Sequence, residues 1–83
     1  MANILYFASL REQLDCSNES LELVGIATLG ELKRSLAERG GVWREAFTAQ
    51  TALLSSVNQQ MASDDTPISE LDEIAFFPPV TGG

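Results

Sequence analysis

The sequence predicts a two-layer α+β domain, with one main helix lying across one face of a small mixed sheet. Three observations carry that prediction: an aliphatic and aromatic strand at the start, a capped amphipathic helix near the middle, and two further strand-like runs after it. A chain of 83 residues supplies the core of one domain and not of two. A single helix covers only one face of a sheet, which leaves the other face open.

The elements follow in order. Asn3 to Ser9 (NILYFAS) reads as a strand, with Ile4, Tyr6 and Ala8 on one face and Leu5 and Phe7 on the other. Arg11 to Asn18 is polar and turn-like, and Ser20 to Gly25 alternates as a second strand, so the two are expected to form a hairpin. Thr28 and Glu31 have the spacing of a capping box. Leu29, Leu32, Leu36 and Ala37 then recur at helical spacing, with Glu31, Lys33, Arg34 and Glu38 turned away. Gly40-Gly41 closes that helix, because glycine enters left-handed backbone angles freely.

Trp43 to Phe47 reads as a short helical turn over one end of the core, and Ala52 to Val57 as a strand. Asp64 to Pro67 is a turn by composition. Leu71 to Phe77 is the last strand, stopped by Pro78-Pro79. Strand, strand, helix, strand, strand is the order of the β-grasp, or ubiquitin-like, fold, here with about four to five strands. Residues 1–77 are expected to form that domain and residues 78–83 an extended C-terminal tail.

Composition excludes several functions. Five Lys and Arg against twelve Asp and Glu give a net charge of -7. That balance disfavours binding to a phosphate backbone, so no nucleic-acid partner is expected. With no histidine, Ser-His-Asp and Cys-His catalysis and imidazole metal sites are ruled out within the chain. Neither a bound metal nor a permanent cofactor is expected. One cysteine, Cys16, cannot make an internal disulfide, and no apolar stretch has the length of a membrane span. A cytoplasmic setting, away from membranes, fits these features.

The end of the chain carries the chemistry. After Phe77 come Pro78, Pro79, Val80, Thr81, Gly82 and Gly83. The prolines hold the backbone extended, and six such residues reach roughly 20 Å. A tail of this kind can enter a narrow tunnel in another protein. Gly82 and Gly83 put no Cβ in the way when the carboxylate of Gly83 is brought in line with a nucleotide phosphate.

The segment Ile74 to Gly83 (IAFFPPVTGG) resembles the C-terminal signature of the small, sulfur-carrier subunit of molybdopterin synthase. Ile4 to Glu12 (ILYFASLRE), the helix Thr28 to Leu36, and Ser56-Val57-Asn58-Gln59 resemble the same family in the same order. The resemblance implies a sulfur carrier that is no enzyme by itself but the sulfur-donating subunit of a heteromeric sulfurtransferase. An E1-like activating enzyme would use ATP to join AMP transiently to Gly83. A persulfide donor would then replace AMP and leave a thiocarboxylate. The tail, Pro78 to Gly82 with Gly83 at its tip, would insert into the large synthase subunit and give sulfur to a cyclic pterin phosphate in molybdenum cofactor biosynthesis. The family also implies a heterotetramer of two small and two large subunits.

Alternation along the last strand places Ile74 and Phe76 on one face and Ala75 and Phe77 on the other. One of these phenylalanines must therefore lie on the open face, and an exposed aromatic there marks an interface. The resemblance selects Phe77, with Phe7 and Met61 as companions, and implies that Arg11 meets an acidic partner surface. Cys16 is the rival sulfur atom, but no cation cluster lowers its pKa. Glu19, Glu22, Glu70, Asp72 and Glu73 are expected on solvated faces. Two other readings use the same Gly-Gly end: a ubiquitin-like modifier joined to lysines, and a thiamine-type sulfur carrier. A plain binding module with an inert tail is the third.

Overall fold

The computed structural model describes residues 1–48 and 53–78. Five strands form one sheet: β1 (Ala2–Tyr6), β2 (Asn18–Leu21), β3 (Leu54–Val57), β4 (Gln60–Met61) and β5 (Glu73–Phe77). Their order across the sheet is β2-β1-β5-β3-β4. β1 and β5 run parallel and the other neighbours antiparallel, so the sheet is mixed. The helices are α1 (Ala8–Leu14), α2 (Leu29–Ala37) and α3 (Gly41–Thr48). This is the expected α+β architecture of β-grasp type; among the described residues α2 is the expected main helix, α3 extends the helical turn expected at Trp43 to Phe47, and α1 is additional.

The buried face of the sheet is set by alternation. Ala2, Ile4 and Tyr6 of β1 and Ile74 and Phe76 of β5 are almost wholly enclosed. Leu29, Leu32 and Leu36 of α2 meet them from above, each essentially without exposure. Thr28 caps α2 as its spacing foretold: its hydroxyl accepts from the Glu31 amide at 3.3 Å, and Glu31 accepts from the Thr28 amide at 3.1 Å. The Ala27 and Thr28 amides together hold the Glu31 carboxyl below the usual glutamate range. Gly40 and Gly41 adopt φ of 79° and 56° and turn the chain from α2 into α3.

The largest departure from the sequence reading lies between β1 and β2. No tight hairpin joins them. Ala8–Leu14, read as the end of a strand and a polar turn, folds as α1. Its residues are mostly good helix formers, and Leu10 and Leu14, four apart, are both buried in the core. A helix of 7 residues is marginal alone, so this packing is what holds it. The strand consequently stops at Tyr6, and Ala8 departs from its pleat with φ of 55°. β2 also lies earlier than expected, at Asn18–Leu21; Leu23 is buried from the loop beyond it, where its amide donates to Glu70 Oε1 at 2.7 Å. Ala52, expected in β3, lies outside the described residues.

Candidate functional site

The face of the sheet away from α2 is open. Register runs a row across it: Leu5 pairs with Ala75, Ala75 with Ser56, and Ser56 with Met61. A second row begins with Leu54 opposite Phe77. The Phe7 amide donates to the Phe76 carbonyl at 3.1 Å and extends the β1–β5 ladder by one residue. Phe7 keeps extended backbone angles, so alternation puts it on the face of Leu5, at the level of Phe77.

Phe7 is 46% exposed and Met61 63% exposed, whereas Leu5, Leu54 and Phe77 are half-buried. Phe76 has no exposure at all. The structure thus places Phe77, and not Phe76, on the open side. Phe7, Met61 and Phe77 lie on this one face, and half-buried Pro78 is the first residue after β5. Arg11 lies exposed in the last turn of α1. Pro79, Val80, Thr81, Gly82 and Gly83 lie outside the described residues. Beside Pro78, between α1 and α3, is a shallow groove lined by Ser9, Leu10, Gln13, Glu45, Ala46 and Leu53.

A second cluster escaped the sequence reading. Tyr6 donates its hydroxyl to Glu19 Oε2 at 2.8 Å, and Arg39 donates to both oxygens of the same carboxylate at 2.8 and 2.9 Å. The Arg39 guanidinium in turn lies 4.4 Å from the centre of the Trp43 ring, which packs edge-to-face with Tyr6 at 5.4 Å between ring centres. Glu19, expected on a solvated face, is instead the hub joining β1, β2 and the α2–α3 junction. Burial pushes its carboxyl up, but the Arg39 and Tyr6 donors outweigh that and hold it below the usual range. Burial, reinforced by the Glu19 carboxylate, pushes the Tyr6 phenol far up. These groups keep fixed protonation states near neutrality, which suits a structural clamp. A signal was present in the sequence: tyrosine on a core face requires a polar partner for its hydroxyl.

Cys16 is half-buried with Sγ 3.5 Å from the Asn18 carbonyl. Burial and the Glu19 charge push its thiol up, so little thiolate forms. That environment does not activate Cys16 as a nucleophile. Asp72 stays at the surface but is not free: Asn58 Nδ2 and the Ser69 amide donate to it at 2.9 and 2.7 Å and hold its carboxyl down. Among the described residues no group of three or more His, Cys, Asp or Glu is placed to hold a metal ion. No helix there is long and apolar enough to cross a membrane.

Fold and open face together define a small ubiquitin-like domain of β-grasp type. The chain belongs to the ThiS family, whose model matches residues 4–83. It is 37% identical over its full length, and the full length of the relative, to the molybdopterin synthase sulfur carrier subunit of Escherichia coli. The subunit of the same description from Haemophilus influenzae is 39% identical, again with both chains covered completely. Among solved structures, the putative molybdopterin converting factor subunit 1 from Pyrococcus furiosus superposes with a TM-score of 0.77. That match covers 95% of this chain and 97% of the other at 24% identity, and so speaks to the fold.

Proposed function

We propose that this chain is the sulfur-carrying small subunit of a molybdopterin synthase, working in the cytoplasm through the carboxyl group of Gly83. The observation that carries this reading is the sequence Phe77-Pro78-Pro79-Val80-Thr81-Gly82-Gly83 after the last strand, in a chain alike over its whole length to two sulfur carrier subunits. Residues 1–77 serve as the docking body and residues 78–83 as the delivery arm.

An E1-like enzyme first joins the Gly83 carboxylate to the α-phosphate of ATP and releases pyrophosphate. The terminal sulfur of a persulfide donor then displaces AMP to give an acyl disulfide, and attack by a second thiol on the donor sulfur leaves the thiocarboxylate and a new disulfide. Pro78, Pro79, Val80, Thr81 and Gly82 thread into the large subunit, while Phe7, Met61 and Phe77 bury against it and Arg11 meets an acidic group. Sulfur passes there to cyclic pyranopterin monophosphate. With a net charge of -7 the small chain repels that anion, which leaves its binding to the large subunit.

The test is the intact mass of the chain after incubation with ATP, an E1-like enzyme and a reducible persulfide donor. Exchange of one oxygen for sulfur, mapped to Gly83, is expected. Sulfur on Cys16 instead, or an unchanged mass with an enzyme that activates an authentic carrier, overturns the reading.

A further inference from the structure

The chain contains one lysine, Lys33, and four arginines. Lys33 Nζ lies 2.9 Å from Asp64 Oδ1, and its side chain is only 19% exposed. The other amine, the Met1 ammonium, is 3.4 Å from Glu70 Oε2. Both amines therefore sit on carboxylates. The cations on the two helices that flank Pro78, Arg11 on α1 and Arg44 on α3, are guanidinium groups. A guanidinium stays protonated and is not acylated under conditions where an amine is.

This distribution matters if Gly83 is activated, and so the inference rests on the carrier reading. An acyl-adenylate reacts with any free amine. The nitrogen attacks the acyl carbon, the C–N bond forms as the C–O bond to AMP breaks, AMP leaves as its anion and the amine gives a proton to water. The product is a dead-end amide that consumes both the tail and the acceptor. Lys33 Nζ, held 2.9 Å from Asp64 by a side chain only 19% exposed, is shielded by that contact from an approaching acyl carbon.

We propose that Lys33 is the one lysine acylation site on this protein and that the Asp64 ion pair guards it against the activated C-termini of other copies. Gly30 fixes the guard in place. Its amide donates to the Asp64 carbonyl at 2.9 Å, and it brings α2 so close to the 64–65 turn that a Cβ would lie 3.1 Å from Asp64 Cβ. The turn that carries the carboxylate is thereby clamped to the helix that carries the amine.

The guard is read first without the tail. Limiting sulfo-N-hydroxysuccinimidyl acetate is applied at low salt, and acetylation of Lys33 is followed by peptide mass spectrometry. The proteins are wild type, Asp64→Asn, and Arg34→Lys, which adds an exposed reference amine on the same helix. Lys33 is expected to label about two- to fivefold faster in Asp64→Asn, the range of a partly exposed ion pair. It should also label more slowly than the reference amine. Equal Lys33 rates with and without the Asp64 charge overturn the proposal. This arm uses neither Gly83 nor an activating enzyme, so its outcome is independent of the carrier reading.

The second arm supplies an E1-like enzyme and ATP without a sulfur donor. Pyrophosphate release measures activation, and a Gly83–Lys33 amide between copies is the readout. More amide per pyrophosphate is expected in Asp64→Asn. Equal amide in the two proteins overturns the guard, whereas absent pyrophosphate overturns the carrier reading and leaves the guard to be decided by acetylation.

Discussion

The phenol of Tyr6, enclosed in the core on β1, donates its proton to Glu19 on β2 at 2.8 Å, and the same carboxylate is gripped from the other side by Arg39 beyond α2. Three segments far apart in sequence are thereby tied through one side chain. Glu19→Gln keeps the shape, removes the charge and leaves Arg39 without its counterion. A hydrogen bond to a charged group contributes about 1.5–3 kcal/mol, so the variant should lose about that much stability in urea unfolding. Tyr6→Phe removes a hydrogen bond to the same charged carboxylate and should cost a similar amount, about 1.5–3 kcal/mol.

The same carboxylate predicts an acid dependence. Its folded-state pKa is depressed below the ordinary value. A group of that kind contributes stability that is fully present above its unfolded pKa, about 4.3 for glutamate, and is lost as pH falls through the folded pKa. Wild-type stability should therefore decline below about pH 4.3, and Glu19→Gln should show a shallower decline over the same window. Parallel slopes in the two proteins would remove Glu19 from the account.

Phe76 and Phe77, adjacent in sequence, should respond oppositely. Phe76→Ala empties a fully buried site and should cost about 3–5 kcal/mol, enough to unfold much of so small a domain. On the open face Met61→Asp should leave stability nearly unchanged, within about 0.5 kcal/mol, and Phe7→Asp, at a residue 46% exposed, should cost far less than Phe76→Ala. Those two variants should nevertheless weaken association with a molybdopterin synthase large subunit by at least about tenfold in calorimetry, as loss of buried anchors does. Binding at wild-type strength would remove the open face from the interface.

These residues also show what the sequence made legible. Period-2 alternation placed Phe76 and Phe77 on opposite faces, and the 3.6 period with its cap placed Leu29, Leu32, Leu36 and Ala37 in the core. Both signals are local and repeat several times. α1 was missed because its 7 residues contribute only two core contacts, Leu10 and Leu14, within a polar stretch that has the composition of a turn. Glu19 was missed for a different reason: its partners lie 13 and 20 residues away, and nothing local to it marks the contact. The tail is read from the sequence alone: two prolines restrict the backbone and two glycines free it, whatever surrounds them.

Gly30 tests the close approach of α2 to the 64–65 turn. Alanine is favoured over glycine within a helix by about 1 kcal/mol. Here the added Cβ would stand 3.1 Å from Asp64 Cβ and 3.2 Å from the Asp64 carbonyl oxygen. That turn cannot easily recede, because the Leu29 and Gly30 amides donate to Thr66 and Asp64 and the Ile68 amide donates to Ala27. Crowding should win, so Gly30→Ala should destabilise by about 1 kcal/mol in denaturant unfolding. A gain in stability would show that the turn moves freely.

Removal of Gly82 and Gly83 separates folding from delivery. The core and clamp are built from residues before Pro78, and the last strand ends at Phe77. Deletion of the two glycines should therefore leave the unfolding midpoint unchanged within about 0.5 kcal/mol. Binding to the large subunit should persist in part, since Phe7, Met61 and Phe77 remain, while sulfur transfer to cyclic pyranopterin monophosphate should vanish. The intermediate variant Gly83→Ala keeps a carboxylate but adds a Cβ beside it. It should slow pyrophosphate release by the activating enzyme far more than it weakens binding to the large subunit, because the cost falls where the carboxylate approaches the nucleotide. Full sulfur transfer by the truncated chain would place the reacting group elsewhere in the protein. The docking body would then be a binding module and the tail an inert end.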